Sequence, residues 1–222
     1  VSYIMQNSTI PVMGHADGIC HTYVDKMADT DLAVKVVTDS KTQYVAVCNA
    51  LETLLVHEDI AKDYLPKLKS SLEAKNVLIK GCEKTREIID VEAATEEDWK
   101  TEYLDYILSI KIVNNIDEAI AHINTFGSGH TDCIITRDNE AAEKFMTLVD
   151  SGNVFLNVST RFSDGFKYGF GAEVGISTSK LHARGPVGLE GLLIYKYKLR
   201  GNGQIVADYA EGRSHFTHKR LI

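Results

Sequence analysis

The chain has 222 residues, 44% of them hydrophobic and 25% charged, with a formal net charge of −7. Those values fit an ordinary folded domain and argue against nucleic acid, whose phosphates need a basic surface. Apolar runs stay far below the ~20 residues of a membrane span.

Taken in chain order, VSYIMQNSTIPVMGH has no basic region followed by an apolar stretch, so no signal peptide is expected. GICHTYVD (18–25) reads as a strand. Asp29 or Thr30 caps a helix over 31–43, where Leu32, Val36 and Val37 recur at helical spacing. LETLLVH (51–57) is strand-like, and 59–75 is an amphipathic helix with Ile60, Tyr64, Leu65, Leu68 and Leu72 on one face. NVLIKG (76–81) is a short buried strand, and the polar stretch that follows to residue 103 is a surface excursion. YILSIKIV, DCIITRD and NVFLNV then alternate with helical segments that close on Gly127 and Gly152. That alternation predicts an α/β domain with a largely parallel sheet over residues 1–158. From 159 to 222 the chain turns glycine-rich, and LLIYKYKLRGNGQIV predicts a β-hairpin around Gly201-Asn202-Gly203.

Four scattered cysteines (Cys20, Cys48, Cys82, Cys133) without a CxxC pair predict reduced thiols and a cytoplasmic protein. Spacing alone leaves Cys48, followed by Asn49, evenly placed between a small core residue and a reactive thiol. His15 with Cys20-His21 lacks the second half of a zinc pattern, so hydrogen-bonded strand histidines are the better reading. Ser128 to Asp132, with His130, sits between a helix and a strand, near where α/β folds place ligand contacts beyond the carboxyl ends of strands. GFGAEVG follows no clear strand and opens no helix, so it is no dinucleotide fingerprint. Lys180, His182 and Arg184 are either solvated charge or an oxyanion clamp.

Three stretches go beyond generic spacing: IPVMGHADGICHTYVD (10–25), KTQYVAVCNALETLLVH (41–57) and RFSDGFKYGFGAEVGISTSKLHARGPVGLEGLLIYKYKLRGNGQIV (161–206). They closely resemble the gamma-glutamyl phosphate reductases (glutamate-5-semialdehyde dehydrogenases) of the aldehyde dehydrogenase superfamily. The resemblance implies an aldehyde dehydrogenase-like catalytic domain with a C-terminal oligomerisation hairpin, and a homo-oligomer. It implies NADPH-dependent reduction of L-glutamate 5-phosphate to the semialdehyde with release of phosphate, in proline biosynthesis. Family chains are about twice as long, so the N-terminal NADPH-binding domain is expected to be missing from this sequence. On the family pattern Cys48 falls on the nucleophile, which would form a thioester, with its own backbone N–H and Asn49 beside it. Arg184, Lys180, His130, Arg161 and His15 are the expected contacts for an anionic substrate. Gly169, Gly171 and Glu173 are expected to shape the loop beside them. Hydrolytic relatives carry a glutamate base some thirty residues before the nucleophile; Val12 to Asp17 holds none. A thioester awaiting hydride gains nothing from activated water. Two other readings stay open: an acylating aldehyde dehydrogenase with another acyl donor, and a non-catalytic oligomerising module.

Overall fold

The computed structural model describes residues 1–218, and seven parallel strands form its centre. In chain order the elements are α1 (Ser2–Asn7), β1 (Cys20–Val24), α2 (Thr30–Thr42), β2 (Leu51–His57), α3 (Glu58–Glu73) and β3 (Leu78–Gly81). There follow α4 (Glu83–Arg86), β4 (Glu92–Ala93), β5 (Ile107–Val113), α5 (Ile116–Phe126), β6 (Thr131–Ile135), α6 (Asn139–Leu148) and β7 (Asn153–Leu156). Strand order across the sheet is β4-β3-β5-β2-β1-β6-β7. The central strands β1, β2 and β6 are buried at every position, as strands covered on both faces must be.

The helices begin where their capping residues direct. The Asp29 side chain accepts from the N–H groups of Asp31 and Leu32, and Asn115 and Asp138 cap α5 and α6 in the same way. The buried face of α2 is Ala33, Val37, Ser40 and Lys41; of the expected stripe Val37 is buried and Val36 packs partly buried against the core, while Leu32 is exposed. The expected face of α3 is confirmed at Tyr64, Leu65, Leu68 and Leu72, which pack with Leu54, Val56, Leu108 and Ile110 on one side of the sheet. On the other side α5 and α6 set Ala119, Ile123 and Phe145 against Tyr23, Leu55 and Ile134. The polar stretch after β3 is more than surface: Thr85, Ile89, Asp98 and Trp99 are buried. Asp98 takes hydrogen bonds from Lys80 and Tyr103, and the Trp99 ring meets His122 edge-on.

A C-terminal β-hairpin is present, built from β8 (Glu173–Ser177) and β9 (Gly185–Gly188), which pair antiparallel. The hairpin expected around Gly201 is not formed in this chain, because 193–205 carries no strand among the described residues. Ile194 and Leu199 there are 98% exposed, so an apolar ribbon lies without a partner strand. The chain divides into two units, Val1–Leu192 and Leu193–Ile222, which leaves 159–192 inside the first. The second unit holds one short helix, α7 (Val206–Ala210), and residues 219–222 lie outside the described part. Among the described residues no helix is long and apolar enough to cross a membrane.

One charge pair is wholly enclosed. Lys41 Nζ donates to Glu52 Oε2 at 2.7 Å, and both side chains are inaccessible. Burial raises the Glu52 carboxyl to about 7 and, to a lesser degree, Lys41 pulls it back. Removing one member strands the other without compensation. Lys41→Met is therefore expected to cost about 3–5 kcal/mol of stability at pH 8. A carboxyl raised in the folded state contributes most below its unfolded value and loses that contribution as pH rises. The deficit of Lys41→Met should accordingly shrink at pH 5, as read from urea unfolding at both pH values; an equal deficit at both would contradict it.

Candidate active site

Cys48 lies in the 43–50 loop that leads into β2, His130 immediately precedes β6, and His15 lies in the segment that leads into β1. Since β2, β1 and β6 are neighbours, all three residues gather at the amino ends of adjacent parallel strands. The loop around His130 was expected near the carboxyl ends. The structure places it at the opposite edge, because 127–130 enters a strand instead of leaving one. One donor atom from each of His15, Cys48 and His130 falls in a group whose members all lie within 4.8 Å of one another.

Each member is held by the backbone around it. Gly18 packs directly on Cys48: a Cβ built there would stand 2.2 Å from the Cys48 carbonyl oxygen and 2.3 Å from its Cα. No residue but glycine fits that contact without moving the thiol's loop. The Cys20 thiol donates to the Cys48 carbonyl at 3.2 Å, fixing the loop from the sheet side. His15 Nδ1 donates to the Ile176 carbonyl at 2.7 Å, so its Nε2 carries the free lone pair. The His130 ring is fully buried, with Nδ1 2.8 Å from Thr131 Oγ1 and Nε2 without a hydrogen-bond partner. The two imidazoles meet edge-to-face with centroids 4.8 Å apart. Burial, with His15 beside it as a smaller cause, lowers His130 to about 3, so it is neutral at physiological pH.

Cys48 itself is half-buried. Burial pushes its thiol up, the Glu102 carboxylate adds to that, and Arg161 offsets only part. A ready nucleophile needs its thiol lowered or its ionised form selected on substrate binding; within this chain the environment raises the thiol. Among the described residues, α2 ends before the Cys48 loop and α5 ends before His130, so neither of these helices begins at the thiol.

The remaining candidates form two other groups. Asn49 donates through Nδ2 to the Ser163 carbonyl at 2.8 Å and accepts through Oδ1 from Arg161 Nη1. Arg161 Nε donates to Gln43 Oε1 at 2.9 Å, so these two side chains tie the thiol's loop to 159–163 and have their polar ends engaged. Arg184 and Lys180 converge on Asp150: Arg184 Nη1 lies 3.0 Å from Oδ1, and Lys180 Nζ lies 2.5 Å from Oδ2. Lys180, ahead of Arg184, holds the Asp150 carboxyl below its usual range. Beside them is a cavity of about 320 Å³ bounded by Ser128, Gly129, Asp150, Thr178, Lys180 and Arg184. An anion there has to compete with Asp150 for both cations. Glu173 accepts from the Gly165 N–H at 2.9 Å, and Gly169 and Gly171 take φ of +80° and +82°, values that favour glycine. Gly18 was not singled out by sequence, and Cys20 was weighed only as half of a zinc pattern; the GIC triplet in a strand shows no close approach by itself.

The glycines at 165–175 run into β8 and open no helix, and the β1–α2 connection, Asp25 to Asp29, holds no glycine. Among the described residues no glycine-rich strand-to-helix turn cradles a dinucleotide pyrophosphate. These residues therefore do not fit NADPH on their own.

The aldehyde dehydrogenase family model matches residues 87–186. The gamma-glutamyl phosphate reductases of Acetivibrio thermocellus and Ruminiclostridium cellulolyticum are each 69% identical over 221 residues, matching 100% of this chain and 51% of theirs. The crystal structure of the Thermotoga maritima gamma-glutamyl phosphate reductase superposes with a TM-score of 0.89 at 50% identity, covering 92% of this chain and 50% of that one. The chain thus spans about half the length of the curated relatives it matches.

Gly18→Ala is expected to lose about 1–3 kcal/mol through overpacking against backbone and to change the iodoacetamide labelling rate of Cys48, while Cys133 stays protected. Unchanged stability and unchanged labelling would contradict the close approach.

Proposed function

We propose that this chain is of the aldehyde dehydrogenase family and supplies the thiol half of a gamma-glutamyl phosphate reductase. The whole protein would reduce L-glutamate 5-phosphate to L-glutamate 5-semialdehyde with NADPH, in the cytoplasm, as a step of proline biosynthesis. The observation that carries the reading is the 69% identity to such reductases along the full chain, with Cys48 set on a glycine-backed loop beside two imidazoles.

In this reading Cys48 is the nucleophile. Its proton passes to the free Nε2 of His15 or to solvent, and the sulfur attacks the acyl carbon of the substrate. The carbon–oxygen bond to phosphate breaks, phosphate departs with the electron pair, and a thioester remains. The substrate's negative charge does not help ionise a sulfur whose surroundings already hold it protonated, so the proton has to leave for His15 or solvent as the sulfur attacks. His130 is neutral and enclosed, so it lines the site without adding charge. Asn49 and Arg161 position the loop; Lys180 and Arg184 receive an anionic group when it displaces Asp150. The hydride step is assigned to the part of such proteins that this chain does not span. The exposed Ile194–Leu199 ribbon pairs with a second copy and makes the protein a homo-oligomer.

Cys48→Ser in the whole protein is expected to abolish semialdehyde oxidation with NADP and phosphate, by at least about 10³-fold, with circular dichroism unchanged. Retained turnover would overturn the nucleophile assignment. Turnover of other acyl donors at equal rates would point to a different acylating dehydrogenase.

A further inference from the structure

We propose that His15, Cys48 and His130 form a binding site for a soft divalent cation such as Zn²⁺, three protein ligands with a fourth position open. One thiol and two imidazoles are the donor set that thiophilic metals select over magnesium or calcium. The three donor atoms lie within 4.8 Å of one another. Tetrahedral zinc with bonds of 2.0–2.3 Å separates its ligand atoms by about 3.5 Å, so side-chain rotation brings the donors into place. Two further observations point to a ligand. His130 is fully enclosed, yet its Nε2 has no hydrogen-bond partner. His15 commits Nδ1–H to the Ile176 carbonyl at 2.7 Å, the outer contact that orients the other nitrogen of a metal-bound histidine. Cys20 is not a fourth ligand, because its thiol is spent on the Cys48 carbonyl. The half-buried position of Cys48 leaves an approach from solvent.

Binding replaces the sulfur–hydrogen bond by a sulfur–metal bond and releases one proton to solvent. It requires only the donor set, whatever part Cys48 plays in catalysis. Where Cys48 is the nucleophile, the metal occupies the sulfur's lone pair and blocks acylation, so zinc is a reversible inhibitor of that thiol.

The test is titration of the reduced, untagged chain with Co²⁺ under argon. One equivalent is expected to give a near-ultraviolet thiolate-to-cobalt band with visible bands of a tetrahedral ion, displaced by Zn²⁺. Cys48→Ser should remove the near-ultraviolet band, and Cys82→Ser should leave it intact. His15→Gln and His130→Gln should each weaken binding at least ~10-fold. Circular dichroism checks that each variant is folded, and His15→Gln, in a half-buried loop, guards against a core failure at His130. Zn²⁺ should also slow iodoacetamide labelling of Cys48, with the rate restored by EDTA. A band that survives Cys48→Ser, binding indifferent to both histidine variants, or labelling unaffected by Zn²⁺ would each overturn the site.

Discussion

The molecule depends on one adjacency: β2, β1 and β6 lie side by side and parallel, so the segments that enter them meet at one edge of the sheet. His15, Cys48 and His130 each stand in one of those segments, far apart in sequence and close in space. The adjacency works only because Gly18 has no side chain, which lets the chain ahead of β1 touch the backbone of Cys48. A thiol set by sheet register and backbone contact cannot drift far, and a reactive group needs that constancy.

The same edge concentrates polar groups that a strand interior would reject. Glu52, Lys41, Thr53, Ser109, His21 and Asp132 are all buried on or beside the central strands. Several are satisfied in pairs: Lys41 with Glu52, and Asp132 with the His21 backbone N–H at 2.7 Å. Such pairs add little net stability compared with an apolar core, and breaking one is costly. Their presence marks this end of the sheet as built for chemistry, whereas the opposite faces of α3 and α6 follow plain apolar packing.

Much of this was legible in the sequence, for physical reasons. Capping residues, helical period and β-branched runs located β1, β2, β3, β5, β6 and β7 with α2, α3, α5 and α6, because local propensity and burial agree there, whereas α4 and β4 lie in the polar stretch read as a surface excursion. The 29 residues between Gly18 and Cys48 gave no hint that their backbones meet, since register between distant strands is a tertiary fact. The hairpin was misplaced for a related reason: β-propensity at 193–205 is real, but a ribbon forms only against a partner, and within one chain the pairing falls at 173–188. Asn49 was expected beside the nucleophile and Arg161 as a substrate contact; their bonds to Ser163 and Gln43 become visible only in three dimensions.

The central claim is that Cys48 carries the acyl group. It is tested most directly by mass spectrometry of the whole protein after incubation with glutamate 5-semialdehyde and NADP in the absence of phosphate. The account predicts a γ-glutamyl thioester on the peptide containing Cys48, discharged when phosphate is added. NADPH formation with no adduct, or an adduct on Cys20, Cys82 or Cys133, would contradict it.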